Sequence, residues 1–382
     1  MTWMPLDLVA SIIEEAYYND DSGKTPDRCT LRACALVCTS WTGLAQKLLF
    51  RAVSIPSDLD RCAAFRSAAY APSERSRILV SYIRSAHIDV GSGTPEKYSS
   101  VSDLVDLVTH CPRLYELSLR FHGVHELDNA TLDALQAAQL RARRSPIRAL
   151  SLLSCGIQSP ILYQLLVIWP TIQYLRVGTE IVAPPPSKPI GAKLYELALH
   201  RTPSAEALSW LLSASKDTLR ILGCHTAPPT SYDPILAEHT ERLHSLRIFR
   251  HTPRTVAIIR QCTSLKELVL TQLSNFLPLG GLPPTLEHIS FRYFPGTVNL
   301  PLSTIISAIE NLPRLSLVSC DACARENPDF PLFEAKLAEK QASLCTDVLP
   351  IRASEDPVPL TRYPRGRSVE NFRFMNEELP DN

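Results

Sequence analysis

Cysteine and histidine are the side chains in this sequence best suited to nucleophilic attack or metal binding, and the chain has eleven and ten of them. Their spacing speaks against both uses. Cys320-Asp321-Ala322-Cys323 is the one Cys-x-x-Cys pair, and no second pair follows at zinc-ribbon spacing. The histidines form no His-Glu-x-x-His pattern. There is no Gly-x-Ser-x-Gly elbow and no glycine-rich phosphate cradle, and with 13 glycines the chain is poor in the loops that build such sites. The expectation is a binding protein that is no enzyme and needs no metal or cofactor.

Several cysteines fall at apolar positions of the pattern, among them Cys34, Cys38, Cys224 and Cys320. Unpaired thiols pack as small hydrophobes and suit a reducing compartment. The N-terminus has no basic start followed by a cleavable apolar run, and no stretch of about 18 apolar residues occurs. A cytoplasmic or nuclear protein with no membrane partner is expected. Lys plus Arg and Asp plus Glu balance at 39 each, so no global field favours nucleic acid.

The elements that position interacting side chains begin at the N-terminus. Pro5 stands where a helix can start, since its missing N–H is an orphan there anyway. Leu8, Val9, Ile12 and Ile13 recur at helical spacing. Leu31, Cys34, Leu36, Val37 and Trp41 place apolar residues on most of a second helix, and Leu44 to Phe50 reads as a third. Three helices in about fifty residues cannot enclose that much apolar surface alone. Either the chain behind them covers it or a partner does.

The order Pro5, Asp7, Leu8, Ile12, Ile13, Leu31, Cys34, Leu36, Val37, Cys38, Trp41 resembles an F-box, whose usual form is Leu-Pro-x-Glu-Leu, two aliphatics, then Leu-x-x-Cys-x-Leu-Val-Cys-x-x-Trp. The resemblance covers residues 3–50. Met4 stands where leucine is usual, and Asn19 to Cys29 lengthen the first connection. It implies a Skp-family adaptor as partner and, through it, a cullin. The adaptor contact would include Pro5, Leu6, Leu8, Val9, Ile12, Ile13, Leu36, Val37 and Trp41.

A second pattern fills the chain behind. Leu114-x-x-Leu117-x-Leu119 recurs from Ile147, Ile172, Leu194, Leu219, Leu243, Leu265, Leu286 and Leu315, with a degenerate unit at Ile83 to Ile88. From Ile147 to Leu286 the units start 21 to 25 residues apart. That matches the leucine-rich repeat period of roughly 20–29 residues. In each unit the last two aliphatics flank one residue, as a strand with one buried face requires. Pro112, Pro146, Pro170, Pro284 and Pro313 end the preceding segment one or two residues before a unit. The expected fold is α/β: a three-helix F-box module over 1–55, an irregular leucine-rich-repeat solenoid with a parallel concave sheet over 56–325, and a C-terminal helix and proline-rich tail over 326–382. Phe333 to Leu344 reads as the helix, and Phe372, Phe374 and Met375 stand beside an acidic end.

Residues that alternate with the core aliphatics face the other side of the sheet. The candidate target-binding column is Arg120, Arg176, His200, His225, Arg247, Phe249 and Arg292, with Glu116, Glu196 and Glu267 in the neighbouring column. Its basic character suits an acidic or phosphorylated target segment. The order of an F-box followed by leucine-rich repeats resembles fungal F-box/LRR families. It implies the substrate-recognition subunit of an SCF-type ubiquitin ligase. The alternative is a non-catalytic repeat scaffold that acts outside a cullin ligase.

Overall fold

The computed structural model describes residues 5–16, 27–55, 59–92, 98–141, 147–273, 279–291 and 302–347. These fall into two compact units that divide after Gly156. The division lies inside the stretch read from the sequence as one repeat array, and the same strand pattern continues on both sides of it. Arg292 and the tail residues Phe372, Phe374 and Met375 lie outside the described residues.

The first unit opens with three helices, α1 (Leu6–Glu15), α2 (Arg28–Ala35) and α3 (Thr39–Leu49). Pro5 caps the first: its carbonyl accepts the N–H groups of Leu8 and Val9, both at 3.1 Å. Asp27 caps the second by accepting from the Thr30 N–H at 2.9 Å and its hydroxyl at 2.7 Å. Those hydrogen bonds hold the Asp27 carboxyl below its usual value. Val9, Ile13, Leu31 and Leu48 close a small core, with Cys34, Trp41, Leu44 and Leu49 packed on it.

Behind the helices come β1 (Ala52–Ile55), α4 (Leu59–Tyr70), α5 (Glu74–Tyr82), β2 (Ser85–Gly91), α6 (Val101–His110), β3 (Glu116–His122), α7 (Asn129–Arg141) and β4 (Ala149–Ser154). The four strands pair parallel with their neighbours in sequence order. Ser100 and Asp103 form a reciprocal cap on α6, and Asp103 also pairs with Arg66 of α4. One aspartate thus satisfies a helix end and ties two helices together.

The second unit holds α8 (Ile161–Ile168), β5 (Tyr174–Val177), β6 (Glu196–Leu199), α9 (Ala205–Leu212), β7 (Ile221–Cys224), α10 (Asp233–Ala237), β8 (Ser245–Arg250), α11 (Pro253–Gln261), β9 (Glu267–Gln272), β10 (His288–Phe291), α12 (Leu302–Glu310), β11 (Leu317–Asp321), α13 (Phe330–Glu339) and β12 (Ser343–Asp347). Its eight strands are also parallel and in sequence order. The register aligns the repeats: Leu175, Leu197, Leu222, Leu246, Leu268, Ile289 and Val318 stand side by side. All seven are at most 1% exposed, so each strand buries its aliphatics against the next as repeat stacking requires. Gly280-Gly281 forms a turn, with Gly281 at φ 74° in the left-handed region that glycine tolerates.

Two strands depart from the sequence reading. The short β1 was not anticipated. The expected helix Phe333 to Leu344 ends at Glu339, and Leu344 lies on β12. Gln341 takes φ 57°, the Ala342 N–H donates to the Leu337 carbonyl, and the Ser343 N–H then joins Ser316. Glutamine does this job where glycine is usual.

No described helix is long and apolar enough to cross a membrane. None of the eleven cysteines is disulfide-bonded. Cys224 and Cys320 are buried as expected, whereas Cys38 is exposed at the N-cap of α3 and Cys34 is half-buried. Burial pushes the Cys111, Cys224 and Cys262 thiols up to about 12, which makes them inert packing groups.

Candidate functional site

The N-terminal helices sort the candidate adaptor residues by helical geometry. Residues i and i+4 share a face, so Leu8 and Ile12 form one pair and Val9 and Ile13 another, about a quarter-turn away. Val9 and Ile13 are 2% and 0% exposed and belong to the module's core. This corrects their assignment to a contact surface: a partner cannot reach them without opening the helices. Trp41 is half-buried against the same core. Leu8 and Ile12 face outward at 56% and 47% exposure, and Pro5 is exposed too. Leu36 and Val37 follow α2 in the turn to α3 and are 87% and 61% exposed. Nothing is described of the Leu6 side chain. The module therefore closes its core without four of its large apolar side chains.

On the sheet, the alternation rule places Arg176, His200, His225 and Phe249 of the second unit together. The Arg176 guanidinium donates from Nε at 3.2 Å and from a terminal nitrogen at 3.1 Å to Nε2 of His200. A guanidinium has only donors, so Nε2 accepts and the His200 proton sits on Nδ1. The His200 and His225 rings stack at 5.4 Å, and His225 and Phe249 follow at 4.3 Å. Arg250 reaches over Phe249 at 6.0 Å from the ring centre. The result is a ring ladder with cations at its flanks.

The rest of the column behaves differently. Arg247 is 8% exposed, with its Nε 4.0 Å from Glu267, which is fully buried and also accepts from the Ser245 hydroxyl at 3.1 Å. Arg247 is thus held inside a polar cluster and is not an open contact, because a desolvated guanidinium needs its carboxylate. Glu116 and Glu196 are 1% and 9% exposed, so the neighbouring acidic column is not a surface either. Arg120 lies in the first unit, exposed, 3.8 Å from Asp89. The sequence reading missed Arg201 and Arg250, which the alternation rule passes over because they continue the parity of the core aliphatics Leu197 and Leu199, and Leu246 and Ile248.

Arg201 registers on His225. Burial, reinforced by the nearby Arg201 and Arg176 charges, lowers the His225 pKa. Burial likewise lowers His239, against an opposing Glu238, and His244, with Arg220 and Lys266 assisting. Burial alone lowers His251, which is 4% exposed. All four resist protonation when folded, so the unfolded chain takes up protons first as pH falls. Their contribution to stability is complete above the ordinary histidine value of about 6.5 and is lost as pH falls through the lower folded values. Urea unfolding should therefore show lower stability at pH 5.5 than at pH 7.5. The difference should shrink in His225→Gln/His251→Gln, and an unchanged difference would count against these assignments.

Comparison with known proteins adds no relative. No family model matches the chain, and no curated protein matches it significantly.

Proposed function

We propose that this chain is the substrate-recognition subunit of an SCF-type cullin–RING ubiquitin ligase, with an F-box-like N-terminus and leucine-rich repeats behind it. The observation that carries the reading is the exposure of Leu8, Ile12, Leu36 and Val37 on a small module whose core is already closed. These residues belong to the segment whose order resembles an F-box. Leu8 and Ile12 pair on one face of α1 and Leu36 and Val37 are adjacent in the turn after α2, and grouped exposed apolar side chains of this kind mark protein-interaction surfaces. The partner is a Skp-family adaptor and, through it, a cullin.

The Arg176–His200–His225–Phe249 ladder is the proposed target contact. Its flanking cations, Arg176, Arg201 and Arg250, suit a target segment with acidic or phosphorylated residues. The chain itself makes and breaks no bond in this reading. It raises the effective concentration of the target beside the ubiquitin carrier. The cytoplasm, the nucleus or both are its proposed location.

The test is affinity purification of the endogenous protein. Adaptor and cullin should be recovered together, and Arg176→Glu/Arg201→Glu should keep both while changing the set of captured targets. Adaptor without cullin would favour a scaffold outside the ligase. Neither protein in the eluate would sink the reading.

A further inference from the structure

We infer that the proline strap between β5 and β6, residues 181–190, is a docking site for a partner domain that reads polyproline through an aromatic groove. This inference does not depend on the ligase reading. Most connections in the second unit return through a helix, such as α9, α11 and α12. This one instead carries Ala183-Pro184-Pro185-Pro186-Ser187-Lys188-Pro189. Pro184, Pro185 and Pro186 continue without a turn or bend. Each proline ring fixes φ near about −65°, and the residue before each is held extended. Pro184 and Pro185 meet both conditions and Pro186 the first, and three residues span one turn of polyproline II, about 9 Å.

The strap is pinned at both ends. Ile181, Ala183, Ile190 and Ala192 are buried and do the covering of the core that a helix would otherwise do. The Val182 N–H donates to the Ile157 carbonyl at 2.8 Å. The Tyr163 hydroxyl donates to the Ala183 carbonyl at 2.9 Å, and the Trp210 indole N–H donates to the Lys188 carbonyl at 2.8 Å. Tyr163 and Trp210 brace each other edge to face at 5.1 Å. The extended conformation is thus fixed before any partner arrives, and the ordering entropy that weakens a loose proline peptide is already spent.

The crest faces outward with a composition that coverage does not require. Pro184, Ser187, Lys188 and Pro189 are exposed, Val182 is 53% exposed, and Ile157 beside it is 54% exposed. Proline rings next to aliphatic side chains fit a groove of parallel aromatic rings, the surface that polyproline readers present. Lys188 adds a cation that a carboxylate at the rim of such a groove would pair.

The experiment titrates the full-length protein against purified SH3, WW and profilin-type domains. At least one should bind with micromolar affinity. That affinity should fall about tenfold or more in Pro184→Ala/Pro186→Ala. Lys188→Glu, a change at an exposed side chain, should weaken it as well. Failure of every domain to bind overturns the inference. So does unchanged affinity in the proline variant when its thermal melt matches wild type. If the proline variant does not fold, Lys188→Glu decides: unchanged affinity there overturns the inference, and weakened affinity supports it.

Discussion

Leu36→Asp/Val37→Asp is expected to lose adaptor recovery almost completely while the protein melts within a few degrees of wild type. Both side chains are largely in water, at 87% and 61% exposure, so the folded chain gives up little packing when they change. Surface substitutions of this kind usually shift stability by no more than about 0.5 kcal/mol. A docked interface would lose far more. Truncating a central contact costs about 2 kcal/mol or more, roughly thirtyfold in affinity, and burying a carboxylate where an aliphatic sat adds its desolvation penalty. The control is one turn of α1. Ile12→Ala should be nearly neutral for stability, whereas Ile13→Ala, at 0% exposure, should cost about 2–5 kcal/mol. Undiminished adaptor recovery by a folded Leu36→Asp/Val37→Asp protein would remove the turn after α2 from the interface.

The repeat pattern was readable because its physics is local. An aliphatic that flanks one residue and recurs every 21 to 25 positions has few other uses, and all nine Leu-x-x-Leu-x-Leu units with the degenerate one at Ile83 appear as parallel strands. Three helices at the N-terminus were readable from spacing and from Pro5, but the break between the second and third was not: Leu36 and Val37 stand in the turn after α2 and Trp41 lies on α3, not on the second helix as expected. What the pattern could not supply was side-chain depth. Val9 and Ile12 both belong to the apolar series of α1, yet only tertiary packing decides that the first is enclosed and the second is not. Arg247 and Phe249 alternate in the same strand on the same face, yet Glu267 draws the first into a buried pair. The end of α13 was unreadable for a different cause: Lys340-Gln341-Ala342 contains no glycine or proline, and a glutamine in the left-handed region leaves no mark in the sequence.

That unmarked turn sets up the largest expected effect on stability. Phe333→Ala should destabilise the second unit by about 3–5 kcal/mol. Phe333 is fully buried, with ring centres of Phe291 and Phe330 each 5.9 Å away. It holds α13 against the strand ladder, and α13 in turn feeds β12, whose Leu344 is only half-buried. Among the described residues β12 is the last strand, with a neighbour on one side only, so a cavity here is not shared between two interfaces. Its cost therefore falls on the β11–β12 pairing first. In a unit of this size each kcal/mol shifts the melting temperature by about 2–4 °C, so a fall of roughly 10 °C is expected. Hydrogen exchange should quicken earliest at Ser343 to Asp347 and only later at β6 to β8. If the amides of β12 stay as protected as in wild type while the whole unit loses stability together, the terminal helix is part of one cooperative core rather than a separable cap.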